Sequence, residues 1–235
     1  MIPEIKIAPV HSLELEGIGK EIKYTPYTIA HEKIILTALE SDNLNDLIIN
    51  YIAVMKDVIE DDIDIENLPL VDFIKIVVFL RTKSTDEILN LQRKKCKKCE
   101  KPYQFKLDIE KGLKYINKNK IKDIVKINKD LEFEIKPTKF IYLKSISKIN
   151  DELDIKLNTA ANSIEKIIYN KNIIINDNPQ EIIDKVLINL SKQDLDKLIN
   201  KINSLISIKL DIKSKCPYCK NTEVDTVTDF LKFIN

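Results

Sequence analysis

The residues of this chain best suited to chemistry are four cysteines in two Cys-x-x-Cys pairs, Cys96-Lys97-Lys98-Cys99 and Cys216-Pro217-Tyr218-Cys219. A tight turn brings both sulfurs of such a pair to one point, and two pairs supply the four soft ligands that Zn²⁺ takes in structural sites. An ordinary zinc ribbon places roughly 15–20 residues between its pairs; here residues 100–215 intervene. Closing the longer loop adds only about 1.7 kcal/mol of entropy, against the about 10–16 kcal/mol that structural zinc contributes in small peptides. The spacing therefore predicts one Cys₄ zinc site, Cys96, Cys99, Cys216 and Cys219, clasping the middle of the chain to its end; the competing reading is two unrelated pairs, or a site that has lost its metal. Four thiolates leave no open position for water or substrate, so the metal is expected to be structural.

Cys-Pro-Tyr-Cys also resembles a glutaredoxin redox motif. That chemistry needs the first cysteine at a helix N-terminus with most of a thioredoxin fold downstream, and the chain ends at Asn235. A thiol–disulfide oxidoreductase is thus the weakest of the three readings. The cluster Arg93, Lys94, Lys95, Lys97, Lys98 and Lys101 raises a third, a zinc-ribbon protein that binds nucleic acid. Aromatic residues that could stack on bases do not interleave with the cluster, and ammonium groups beside four thiolates also offset the charge of −2 that such a site carries. His11 and His31 lack a partnered nucleophile or carboxylate motif, and no His-Glu-x-x-His spacing occurs. No catalytic residue, small-molecule substrate or enzyme activity is expected.

The elements that must position the cysteines follow from pattern. With 235 residues and 44% apolar content the chain can bury a core of its own. Lys+Arg of 38 against Asp+Glu of 37 points to no polyanionic partner. No apolar run reaches a membrane span, and the N-terminus lacks a signal-peptide pattern, so a cytosolic site of synthesis and reduced thiols are expected. Only 3 Gly and no Trp suit a helix-dominated protein. The predicted fold is mainly α with small β elements: a helical bundle plus a split zinc-ribbon-like site.

Four segments are expected: an N-terminal hairpin and helical region over 1–92, the first zinc knuckle and strand over 93–110, a helical insert over 111–206, and the second knuckle with a C-terminal turn over 207–235. Periodicity predicts helices at 28–40, 43–60 and 70–83, the last apolar nearly all round and therefore buried. Ser84 and Glu87 form a capping box predicting a short helix up to Cys96. Further helical pattern lies at 140–150 and 163–169, two capped helices span 179–205, and Thr228 can cap a last turn through Phe230 and Phe233. Alternation predicts a hairpin before residue 27 and strands at 103–109, 131–135, 207–212 and 223–225. Gly17-Ile18-Gly19 reads as the hairpin turn, since no phosphate-binding motif surrounds it.

Three segments together resemble the baseplate hub assembly proteins of T-even-like contractile-tailed phages. They are the run from Lys23 through Pro26, Tyr27 and His31 to Ser41; Leu68-Pro69, Asp72 and Phe79 to Ser84; and Ile168-Tyr169 through the capped helices to Cys-Pro-Tyr-Cys and Asp229-Phe230-Leu231. The chain departs from the family at Thr25, where the family tends to have Arg, and at Thr85-Asp86-Glu87, where it tends to have Val-Gly-Glu. The resemblance implies a late phage protein that builds the baseplate hub in the host cytoplasm, as an assembly chaperone or as a retained hub subunit. Its partners would be other hub proteins. On that reading helices 28–40 and 70–83 frame the partner surface, with Tyr24, Pro26 and Tyr27 as contacts; the same residues could instead staple the first helix.

Overall fold

The structure is a computed structural model that describes residues 8–41, 43–84, 88–143, 149 and 151–228. An antiparallel hairpin opens it, β1 (His11–Leu15) and β2 (Lys20–Tyr24), whose alternating Leu13, Leu15, Ile22 and Tyr24 turn inward. Three helices follow: α1 (Ile29–Glu40), α2 (Leu44–Val58) and α3 (Leu70–Ser84). At the start of α1 the Thr28 backbone N–H donates to His31 Nδ1 at 3.1 Å, and His31 Nε2 lies 2.6 Å from Asp57 Oδ2 at the end of α2. The histidine is thus a cap and a tie between two helices. Hairpin and helices close around a first core that includes Met55, Phe73, Leu80 and, from a distant 3₁₀ turn at Phe140–Tyr142, Phe140 stacked on Phe73 at 4.1 Å.

Helix α3 is buried on two sides, as its all-round apolar sequence demands. Phe73, Ile76, Val77 and Leu80 face the first core, while Val71 and Ile74 enter another with Leu107, Ile109, Tyr115, Ile206, Ile208 and Leu210. That second core is roofed by strands. β3 (Ile88–Lys95) pairs antiparallel with β4 (Pro102–Asp108); a one-turn helix α4 (Ile109–Gly112) leads to β5 (Leu113–Ile116). β5 lies along the first half of β10 (Ser207–Lys215), and β11 (Thr222–Val227) lies along the second half. Gly112 permits the closeness of this packing, because a Cβ there would meet Asp211 O at 2.7 Å.

Residues between β5 and β10 carry a third core. The four-stranded antiparallel sheet β6 (Asp123–Lys126), β7 (Leu131–Ile135), β8 (Ile164–Tyr169), β9 (Asn172–Ile175) packs Phe133, Ile135, Ile164 and Ile167 against three helices. These are α5 (Glu152–Ser163), α6 (Pro179–Lys185) and α7 (Lys192–Asn203). Side chains of Asp151, Asn178 and Ser191 cap their N-termini by accepting backbone N–H bonds.

The mainly α expectation and its helical bundle are therefore corrected: the described residues hold four sheets beside the helices, an α+β architecture. The predicted helix leading to Cys96 is the strand β3, and Ser84 Oγ accepts the Tyr27 N–H at 2.8 Å and donates to Leu80 O at 2.6 Å. Glu87, the other half of that capping box, lies outside the described residues. So do most of 140–150 and the turn through Phe230 and Phe233. The helix expected at 163–169 is β8, whose Ile164, Ile167 and Ile168 fall at helical spacing yet pair across β7 and β9. The helical insert of 111–206 contains the four-stranded sheet.

One polar residue ties the first two cores together. Asp72, in the first turn of α3, is 0% exposed and accepts the Gly17 N–H at 3.0 Å and the Tyr115 hydroxyl at 2.6 Å, joining the β1–β2 turn, α3 and β5. A Cβ on Gly17 would lie 2.4 Å from Asp72 Oδ2, so only glycine admits this contact. Gly17→Ala is expected to cost about 1–3 kcal/mol through overpacking, and Tyr115→Phe a similar about 1–3 kcal/mol by leaving the buried carboxyl short of a donor. Burial raises the Asp72 pKa, opposed by its hydrogen bonds to Tyr115 and Gly17. The folded state therefore holds that proton to higher pH than the unfolded chain does, and Asp72 loses stabilising effect as pH rises through the folded pKa. Denaturant unfolding of wild type and Asp72→Asn at pH of about 4 and about 7 should show the difference moving in favour of the variant at the higher pH.

Candidate metal centre

Each cysteine pair occupies the turn of a hairpin, and the two turns have the same backbone. In the β3–β4 turn the Cys96 N–H donates to Lys101 O at 3.1 Å and the Glu100 N–H to Cys96 O at 2.9 Å. In the β10–β11 turn the Cys216 N–H donates to Asn221 O at 2.9 Å and the Lys220 N–H to Cys216 O at 3.0 Å. The residue after the second cysteine takes a left-handed conformation in both, Glu100 at φ 57° and Lys220 at φ 60°. For a residue with a Cβ that costs roughly 1–2 kcal/mol, and the two positions turn the chain back so that both sulfurs of a pair face the same way.

The hairpins meet sulfur to sulfur. Cys96 Sγ lies 3.5 Å from Cys219 Sγ and Cys99 Sγ lies 3.7 Å from Cys216 Sγ, with all four within 4.8 Å of one another. Sulfurs placed about 2.3 Å from a tetrahedral centre are about 3.8 Å apart, whereas a disulfide requires about 2.05 Å. The four are free thiols set at metal-binding separation. Cys96 and Cys216 are buried and Cys99 and Cys219 half-buried. The Cys216 thiol is lowered to about 7: burial opposes this, but backbone N–H bonds from Cys219 and Tyr218 and the neighbouring sulfurs outweigh it. Cys99 is pushed up to about 12; the Lys101 N–H lowers it, while burial and the other three sulfurs raise it. A soft divalent cation would displace the remaining thiol protons and complete a closed shell.

A polar joint braces the sulfurs. Glu223 on β11 reaches across to the first hairpin, accepting the Lys97 N–H at 2.8 Å and pairing with Lys94 Nζ at 2.8 Å. Lys94 also pairs with Asp225, which holds Lys97 Nζ at 2.9 Å. The Lys94 ammonium and the Lys97 amide hold the Glu223 carboxyl down at about 2. Nearby, the Tyr103 hydroxyl donates to Ser214 Oγ at 2.9 Å, and Lys101 Nζ sits 5.0 Å from the Tyr218 ring centroid, again linking one hairpin to the other. Two lysines of the basic cluster are thus engaged by carboxylates of the second hairpin, which weakens the nucleic-acid reading.

The structure brings together all four predicted ligands. Elsewhere, Tyr24 is 1% exposed within the first core and so unavailable to a partner, while Pro26 and Tyr27 are half-buried. Helix α3 lies between two cores, with Arg81 exposed near its end. Glu223, Asp225 and the Tyr103–Ser214 bond were not anticipated. The acidic Glu223-x-Asp225 alternation beside the second pair, opposite Lys94 and Lys97 beside the first, is the sequence signal that could have found the joint.

Fold and site together define an α+β protein of three packed cores in which four cysteine sulfurs, gathered where two hairpins meet, could hold a metal ion. A family model described as T4 bacteriophage base plate protein matches residues 8–235. The chain belongs to that family. No curated protein and no solved structure matches it.

Metal analysis of protein purified under reducing conditions is expected to give one ion per chain. Cys96→Ser and Cys216→Ser should each lose it and lower the melting temperature, because each removes one of four ligands on which both hairpins close. Full metal occupancy in either variant would refute a shared site. Glu223→Gln, which keeps the shape but removes the charge, should keep the metal and melt earlier than wild type.

Proposed function

We propose that this baseplate protein is an assembly factor for the central hub of the contractile tail, working through protein–protein contacts in the host cytoplasm and without catalysis. The family match across residues 8–235 carries this reading. The character of the metal centre supports it: four thiolates fill a tetrahedral shell, so a Zn²⁺ held by Cys96, Cys99, Cys216 and Cys219 would stabilise and shape the protein and take no part in a reaction. Among the described residues no helix is long and apolar enough to cross a membrane. The partners are other hub proteins.

The partner surface we assign is the outer side of α1. Ile29 is 86% exposed at its start, and Ile34 and Leu36 are exposed further along, beside the half-buried Pro26 and Tyr27. Apolar side chains at that exposure, grouped on one helix, are suited to burial against another protein.

Quantitative mass spectrometry of purified virions against infected-cell lysate tests the role. An assembly factor should be abundant in lysate and fall well below one copy per baseplate in the particle; stoichiometric presence in the virion would make the protein a hub subunit instead. Replacing Ile29 and Leu36 together by Asp should block hub assembly in complementation while leaving the melting temperature within a few degrees of wild type.

A further inference from the structure

Strand β9 ends the four-stranded sheet, and its exposure is unusual for its composition. Ile173, Ile174 and Ile175 stand 66%, 49% and 61% exposed, on both faces of the strand. The hairpin that carries it is tightly built: Asn170 and Lys171 take positive φ of 48° and 67°, the signature of a two-residue primed turn. The Asn176 N–H donates to Glu165 O at 2.9 Å, and the register pairs Ile174 with Ile167 and Asn172 with Tyr169. Antiparallel bonding alternates along a strand, so Asn172, Ile174 and Asn176 bond inward to β8. The backbone N–H and C=O of Ile173 and Ile175 point away from the sheet. Natural edges are usually blunted by a charge, a proline or a bulge; Asn172-Ile-Ile-Ile-Asn176 has none.

The segment is also complementary to itself. Set antiparallel on its own copy about an axis through Ile174, the strand places Ile173 opposite Ile175, Asn172 opposite Asn176, and Lys171 opposite Asp177. Lys171 and Asp177 are exposed. The two residues whose backbone groups face outward are the two that meet in this register, so both exchange bonds, about four across the pair. Shifting the register by two sets an isoleucine opposite a charge instead, which the hydrophobic pattern disfavours.

We propose that β9 is a homodimer interface: two chains pair their β9 strands antiparallel about a two-fold axis at Ile174, fusing their sheets into one, with Lys171 of each copy against Asp177 of the other. The contact is isologous, as a two-fold requires. Two short strands bury well under the roughly 1,200 Å² of a standard stable interface, so the dimer forms at micromolar rather than nanomolar concentration.

Sedimentation velocity of the full, metal-loaded chain from about 1 to about 200 µM reads this directly. Reversible monomer–dimer exchange is expected. Ile174→Lys sets two ammonium groups against each other on the axis and should weaken the dimer by roughly tenfold or more. Lys171→Asp and Asp177→Lys should each weaken it, and the double variant should restore it, a recovery that damage to the fold would not give. Asp is used at 171 because it tolerates a positive φ; circular dichroism checks that each variant is folded. A chain that stays monomeric throughout overturns the proposal, as does a dimer indifferent to Ile174→Lys and to both charge reversals. A monomer whose Ile173 and Ile175 amides are protected only by a different baseplate protein overturns it too.

Discussion

Two hairpin turns whose facing cysteines, Cys99 and Cys216, stand 117 positions apart in sequence are held at one four-sulfur point, and the fold follows from that constraint. The chain must leave the first hairpin, build a complete sheet-and-helix core, and return in line with where it left. Strand β10 makes the return possible. Its first half lies on β5, the strand that follows the first hairpin, and its second half lies on β11 and ends at the second pair of cysteines. The sulfurs do not act alone: Glu223, Asp225 and Lys94 bridge the hairpins electrostatically, and Tyr103 bridges them from below through Ser214.

A second shared element carries the constraint toward the N-terminus. Helix α3 gives one face to the first core and another to the core beneath β10, and the buried Asp72 at its start binds the β1–β2 turn and Tyr115 of β5. Leu70 N–H donates to Thr138 O and Phe140 N–H to Leu68 O, so the segment after β7 is fastened to the same helix. Packed and hydrogen-bonded neighbours thus run without a break from the sulfur centre along β10 and β5 to Asp72. Among the exposed surfaces, the outer side of α1 and the edge strand β9 present isoleucine and leucine to solvent, which suits a protein of a family of baseplate components.

The cysteines were legible in the sequence because ligand spacing is local chemistry that packing does not alter. The three N-terminal helices were legible for a related reason, since apolar residues repeat at helical spacing over 12 to 15 positions. Strands that alternate, β4, β7, β10 and β11 among them, were legible as well; β8, β9 and β3, which do not alternate, were not. In β8, Ile164, Ile167 and Ile168 mimic a helix face, and β-branched side chains settle the matter only once β7 and β9 are present to pair with them. β9 does not alternate because both its faces are exposed, and β3 ends in Lys94 and Lys95, a poor strand sequence until Glu223 and Asp225 of the other hairpin stand opposite. Helix α5 hid for the opposite reason: its buried face is made largely of alanines and a serine, Ala160, Ala161 and Ser163 beside Leu157. The burial of Tyr24 rests on a long-range fact that no local pattern carries, the closing of α1–α3 over the hairpin.

The central claim is that one metal joins both hairpins, and site-resolved amide hydrogen exchange with and without a metal chelator tests it most directly. The amides of Cys96 and Glu100 in one turn and of Cys216 and Lys220 in the other each bond within their own hairpin. On chelation these four should lose protection together and to the same extent, while β7 and β8 in the third core keep theirs. Loss confined to one hairpin, or protection unchanged in both, would contradict the shared site.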